Sequence, residues 1–117
     1  MKALVIALLL TVGVVSLQAY PPGTVKFQWG TLGDIPVPGD YDRDGHADLT
    51  VWRPSTGVWY ILTSRSGYTT AVGIQFGQLG DVPLAADFNG DGWLDLAVFR
   101  PSTGVWYFNT TTLAEAF

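Results

Sequence analysis

Asp40, Asp42, Asp44 and Asp48 occupy positions 1, 3, 5 and 9 of one short stretch, with Gly45 at position 6. Forty-seven residues later Asp87, Asn89, Asp91 and Asp95 occupy the same positions, with Gly92 at position 6. Ca²⁺ takes six to eight hard oxygens in flexible geometry, and alternate side chains on a curled loop supply them. A glycine at position 6 permits the sharp bend, and the position-7 carbonyls of His46 and Trp93 can then face inward. Four carboxylates crowded into one loop would otherwise repel one another. The competing reading is an acidic turn in which Asp and Gly merely favour the bend. Two loops that keep all four oxygen positions, while positions 2, 4, 7 and 8 change, favour the cation. Asp42 becoming Asn89 keeps an oxygen and drops a charge, which a ligand position tolerates and a salt bridge does not. Mg²⁺ fits less well, because it keeps more of its water. An EF-hand is excluded: position 12 is Val51 or Val98, where that motif needs a bidentate Glu.

The loops sit in a longer repetition. Residues 27–64 and 74–111 align without a gap, with 21 of 38 positions identical, which makes this a true repeat of period 47. Periods of this size mark propellers or solenoids. Within a copy, residues 47–53 and 58–64 are rich in β-branched and aromatic residues and flank Pro54-Ser55-Thr56-Gly57, which predicts a hairpin. Residues 69–77 follow as another strand. Residues 35–40 offer a short one, confined by Pro36 and Pro38 to an edge. The strands are apolar on both faces, so sheets must stack on sheets, as propeller blades do. Trp52, Trp59, Phe99 and Trp106 are expected to pack between them. The fold class expected is therefore all-β, with two propeller-like blades of four antiparallel strands. The first covers about 25–71 and the second about 72–117. Residues 25–29 match the last strand of a blade (72–76), whereas the second copy stops before its own. Repeat units need neighbours to bury their faces, so association of chains, one completing the blade of another, is also expected.

Lys2, the largely apolar run Ala3–Leu17 and Ala19 before Tyr20-Pro21-Pro22 have the order of a secretory signal peptide. Cleavage after Ala19 is expected, leaving 20–117 as a secreted or cell-surface domain; a retained membrane anchor is the alternative. The remaining chain carries five basic and ten acidic residues, which argues against nucleic acid as a partner. There is no cysteine, and in a small exported domain a metal is the usual substitute for a disulfide.

The pattern from Trp29-Gly30 through Asp40-Tyr41-Asp42 to Arg53-Pro54-Ser55-Thr56-Gly57-Val58-Trp59-Tyr60, repeated from Phe76-Gly77 to Tyr107, resembles the FG-GAP/VCBS repeats of secreted bacterial proteins. These are related to the propeller repeats of integrin α-subunits. The resemblance spans residues 27–110 and implies one blade and one calcium per repeat. Carried over residue by residue, it implies side-chain ligands Asp40, Asp42, Asp44 and Asp48, then Asp87, Asn89, Asp91 and Asp95, with carbonyls from His46 and Trp93. The chain departs from the name-giving motif. The first copy has Trp29 for Phe, and Gly-Ala-Pro is replaced by Gly33-Asp34-Ile35-Pro36 and Gly80-Asp81-Val82-Pro83. Propellers commonly have four to eight blades, and two repeats do not close a ring.

Catalysis finds little footing in one His, one Glu and no Cys. The function expected is calcium-dependent extracellular recognition or adhesion, without catalysis, towards a protein or glycan ligand. The alternative is a carbohydrate-binding appendage or fragment of a secreted polysaccharide-acting enzyme.

Overall fold

The computed structural model describes residues 20–110 and 113–117. The expected signal peptide, 1–19, lies outside the described residues. Seven strands follow in order: β1 (Ile35–Pro36), β2 (Leu49–Arg53), β3 (Val58–Leu62), β4 (Ala71–Gln75), β5 (Val82–Ala86), β6 (Asp95–Arg100) and β7 (Val105–Asn109). They form two antiparallel meanders, β1-β2-β3-β4 and β5-β6-β7. Among the described residues there is no α-helix, only one 3₁₀ turn at Leu113–Ala116. The first sheet has the four strands expected of a blade and the second has three.

The hairpins form where the turn chemistry places them. The Gly57 N–H donates to the Arg53 carbonyl at 2.7 Å, and Gly57 takes φ +73°, a region that costs other residues about 1–2 kcal/mol. The registers Arg53↔Val58 and Arg100↔Val105 close β2-β3 and β6-β7 in the same way. Pro36 lies in β1, the outer strand, where its missing N–H costs no ladder bond.

Strand alternation divides each sheet into a front and a back. Trp52, Trp59 and Ile61 share the front of sheet 1, because Trp52 pairs with Trp59 and Thr50 with Ile61. Leu96 and Val98 lie on the back of sheet 2, at the repeat positions of Leu49 and Val51. These five side chains form one buried cluster with Val37, Tyr41 and Leu113. The front of one sheet therefore packs on the back of the next, as blades stack in a propeller. Trp52 and Trp59 are fully buried, and both indole N–H groups donate to the Phe76 carbonyl, at 3.0 and 2.9 Å. Truncating either ring to Ala would cost about 3–5 kcal/mol.

Two expectations are corrected. Phe99 and Trp106 were expected between sheets, yet Trp106 is 53% exposed and Phe99 only half-buried. They lie on the front of sheet 2, and no further sheet covers it among the described residues. Residues 25–29 were expected as a strand but pair with none. They run along the back of sheet 1 instead, held by the Trp29 indole N–H, which donates to the Tyr60 carbonyl at 3.2 Å, and by the close approach of Gly30 to Val51.

Candidate metal centre

Each acidic loop joins the first strand of its blade to the second, so two paired strands hold its ends. Asp48 donates its N–H to the Gly39 carbonyl at 2.7 Å, pinching the first loop shut. Inside the pinch the chain winds around Asp40. Its carboxylate accepts from the Asp44 N–H at 3.2 Å and the Gly45 N–H at 2.9 Å. Gly45 takes φ +89°, and its counterpart Gly92 takes φ +88°. In the second loop the Gly90, Asp91 and Gly92 N–H groups converge on Asp87 at 2.8–3.1 Å. These donors, Gly92 first, hold the Asp87 carboxyl below the usual carboxylate range.

The structure brings Asp40, Asp42 and Asp48 together: each offers a carboxylate oxygen within 4.8 Å of the others. Oxygens on a common Ca²⁺, each about 2.3–2.6 Å away, can lie no more than about 5 Å apart. Asp42 and Asp48 are buried. Burial pushes the Asp42 carboxyl up, and the charge on Asp48 pushes it further. Arg65 relieves this only in part, with Nε 3.9 Å from Asp42 Oδ2 and Nη2 donating to the Asp42 carbonyl at 2.6 Å.

Asp44 is not in that cluster. Its Oδ2 accepts from the Ser64 hydroxyl at 2.6 Å, which with the His46 N–H holds its carboxyl below the usual range. The same hydroxyl lies 2.9 Å from Asp48 Oδ1 and 3.4 Å from the His46 carbonyl. The His46 side chain is 78% exposed, with Nδ1 4.0 Å from Asp44 Oδ1, while its carbonyl faces Ser64. Three of the sequence-identified oxygens thus meet at one hydroxyl, which has one proton to give. Both Asp48 oxygens are bonded, Oδ2 by the Tyr41 and Asp42 N–H groups and Oδ1 by the Ser64 N–H and hydroxyl, which fixes this carboxylate beside Asp40 and Asp42. The Asp40–Asp42–Asp48 cluster has the composition and spacing to hold a metal ion.

The second loop repeats the frame with fewer partners. The Phe88 N–H donates to Asp95 Oδ2 at 2.7 Å, as the Tyr41 N–H does to Asp48 Oδ2. Asp95 is fully buried, and its Oδ1 has no hydrogen-bond partner among the described residues. Asn89 Oδ1 accepts from the Asp91 N–H at 3.2 Å, and Asp91 Oδ1 from the Trp93 N–H at 2.9 Å. Thr111, which stands where Ser64 stands, lies outside the described residues. The loops lie side by side: the Arg43 guanidinium sits over the Trp93 ring at 5.1 Å, and Gly39 faces Leu94 so closely that a Cβ would come within 2.7 Å of it.

Sequence reasoning missed two ion pairs that tie the first strand of each blade to the second at the end opposite the acidic loop. Asp34 binds Arg53 through two bonds of 2.9 and 3.0 Å, and Asp81 binds Arg100 through two of 2.8 and 3.1 Å. Each arginine also covers a tyrosine of the next strand, Tyr60 at 4.5 Å and Tyr107 at 4.6 Å. The signal was present, since both partners recur at the same offset of 47.

A family model described as FG-GAP-like repeat matches residues 40–98, from the first metal-loop position to β6 of the second blade. The chain belongs to the FG-GAP-like repeat family. The match runs through both acidic loops and the sheet–sheet contact between them, so the FG-GAP-like unit coincides with the part of the molecule that carries the candidate site. Neither curated proteins nor solved structures give a significant match.

Proposed function

We propose that the protein is a secreted or cell-surface FG-GAP-like repeat module that binds one Ca²⁺ in each acidic loop. Its role is extracellular recognition or adhesion towards a protein or glycan, with no catalysis of its own. The observation that carries this reading is the convergence of three carboxylates in the first loop. Asp40, Asp42 and Asp48 face one another within 4.8 Å, with Asp42 and Asp48 buried and Arg65 Nε 3.9 Å from Asp42. The Oδ1 of buried Asp95, which has no partner among the described residues, supports the second site. In the first site the side-chain ligands are Asp40, Asp42, Asp44 and Asp48 with the His46 carbonyl; Asp44 joins by turning from Ser64. In the second they are Asp87, Asn89, Asp91 and Asp95 with the Trp93 carbonyl. Bound calcium neutralises the buried carboxylates and ties the first strand of each blade to the second. It thereby holds rigid the end of the molecule where the loops meet, and a rigid surface recognises a partner at lower entropic cost.

Equilibrium dialysis against Ca²⁺ tests this with the wild type, Asp40→Ala and Asp87→Ala. The expected result is two ions per wild-type chain and one for each variant. Equal uptake by all three would reject the assignment of the loops.

A further inference from the structure

The front of sheet 2 has no cover among the described residues, although Trp52, Trp59 and Ile61 on the equivalent front of sheet 1 are fully buried. Trp106 and Phe108 are 53% and 47% exposed, where their counterparts Trp59 and Ile61 are fully buried. The exposed rings are already ordered: Phe88 stacks on Phe108 at 4.7 Å, and Phe99 tilts against Trp106 at 5.1 Å. Along Val105–Phe108 no described strand pairs with the outer edge of β7, whereas the corresponding edge of β3 carries β4.

The complementary parts lie at the other side of the same molecule. By the 47-residue repeat, β4 corresponds to the segment leading into Trp29, which pairs with no strand. The back of sheet 2 that packs on sheet 1 through Leu96 and Val98 corresponds to the back of sheet 1 with Leu49 and Val51. Two glycines mark what is missing. A Cβ on Gly77 would meet Val98 at 3.0 Å and Trp52 at 3.2 Å, from the sheets on either side. A Cβ on its counterpart Gly30 would meet Val51 at 3.1 Å, but no ring stands where Trp52 does. Gly57 is pressed against the Gly77 carbonyl, while its counterpart Gly104 has nothing within 4 Å.

We infer that residues 25–28 of one copy add as the fourth strand to β7 of a second copy. This seats the back of the first copy's sheet 1 on the Phe99, Trp106 and Phe108 face of the second. The register transfers from β3-β4, where Val58 pairs with Gln75, Trp59 with Ile74, Tyr60 with Gly73 and Ile61 with Val72. It therefore places Val105 opposite Gln28, Trp106 opposite Phe27, Tyr107 opposite Lys26 and Phe108 opposite Val25. The strand cannot come from the same chain: Gly30 lies against Val51, on the back of sheet 1, and sheet 2 occupies the front. The contact is head-to-tail, so it propagates into a ring or a filament. It requires no calcium and stands apart from the metal reading.

The chain has no cysteine, so a disulfide can read the register directly. Two single variants of the full chain, Lys26→Cys and Tyr107→Cys, are mixed and mildly oxidised. Cross-strand neighbours lie about 4.5–5.5 Å apart at Cα, within disulfide reach. The control mixture pairs Phe27→Cys with Tyr107→Cys, which point to opposite faces in the proposed register. The first mixture should give several-fold more linked heterodimer than the control. Gly104→Ala, which adds a methyl to open space in one copy but points it at the second copy's Gly30 carbonyl, should abolish the excess. Sedimentation of the unmodified chain, which does not depend on the variants folding, should show mass rising with concentration. A folded monomer at every concentration, or equal linking in the two mixtures (as association through the leader would give), overturns the inference.

Discussion

Asp48→Asn isolates the residue that ties the first loop to the sheet. Asp48 is fully buried, and its carboxylate accepts from the Tyr41 N–H at 2.7 Å, the Asp42 N–H at 3.3 Å, the Ser64 N–H at 2.8 Å and the Ser64 hydroxyl at 2.9 Å. Asparagine has nearly the same shape but replaces one oxygen by an NH₂ group. Whichever way the amide turns, a donor meets a backbone donor. Hydrogen bonds to a charged group contribute about 1.5–3 kcal/mol, and a buried unpaired polar group costs about 1–3 kcal/mol. Removing the charge on Asp48 also relieves Asp42, which offsets part of the loss. The net expectation is about 2–4 kcal/mol of destabilisation, which in a domain of this size lowers Tm by about 10–25 °C. Thermal unfolding followed by circular dichroism in chelator measures it without a cation contribution. In excess calcium the deficit should widen, because a ligand is weakened as well. A shift below about 4 °C in chelator would mean that Asp48 is solvated, and the tie from loop to sheet would not exist.

Other outcomes follow from the same geometry. Hydrogen bonds from Arg53 and Arg100 lower the Asp34 and Asp81 pKa values. The stability they lend is thus present above the unfolded carboxyl value, about 3.9, and lost as pH falls through the folded values. Asp34→Asn with Asp81→Asn should flatten that acid limb in a melting-temperature profile. Asp42 has the opposite sign: its folded pKa is raised, chiefly by burial, so its ionisation weakens the calcium-free protein as pH rises. Asp42→Asn should remove this slope in chelator while lowering calcium affinity in titration. Gly57→Ala should unfold at a markedly lower temperature than Gly104→Ala: both take φ +73°, but only the first methyl meets the Gly77 carbonyl. Asn89→Asp should be tolerated and tighten the second site in a calcium titration, and His46→Ala should leave calcium affinity unchanged.

The sequence carried the repeat, the hairpins, the edge position of β1 and the two loops, because each is encoded within a few residues. Gly57 and Gly45 announce their turns by type, and Pro36 announces an edge. What depends on neighbours was less legible. Ser64 and Arg65 reach the first loop from the turn after β3, and no local spacing tells that they will meet Asp44 and Asp42. Asp44 stands at a regular ligand position, yet it falls outside the Asp40–Asp42–Asp48 cluster and takes the Ser64 hydroxyl that also bonds Asp48. Trp106 repeats Trp59 in sequence but not in burial, since a face is buried only when another sheet stands in front of it. The Asp34–Arg53 and Asp81–Arg100 pairs join partners 19 residues apart through the fold of a blade, and only their common recurrence hinted at them.

Isothermal calorimetric titration of the metal-free protein with Ca²⁺, paired with melting in excess calcium and in chelator, addresses the calcium reading most directly. Two ions should bind per chain, and each site held at a hundred times its dissociation constant should add about 2.7 kcal/mol. Tm should accordingly be higher in calcium than in chelator. No heat of binding, together with the same Tm in both conditions, would make the aspartates turn formers and contradict the account.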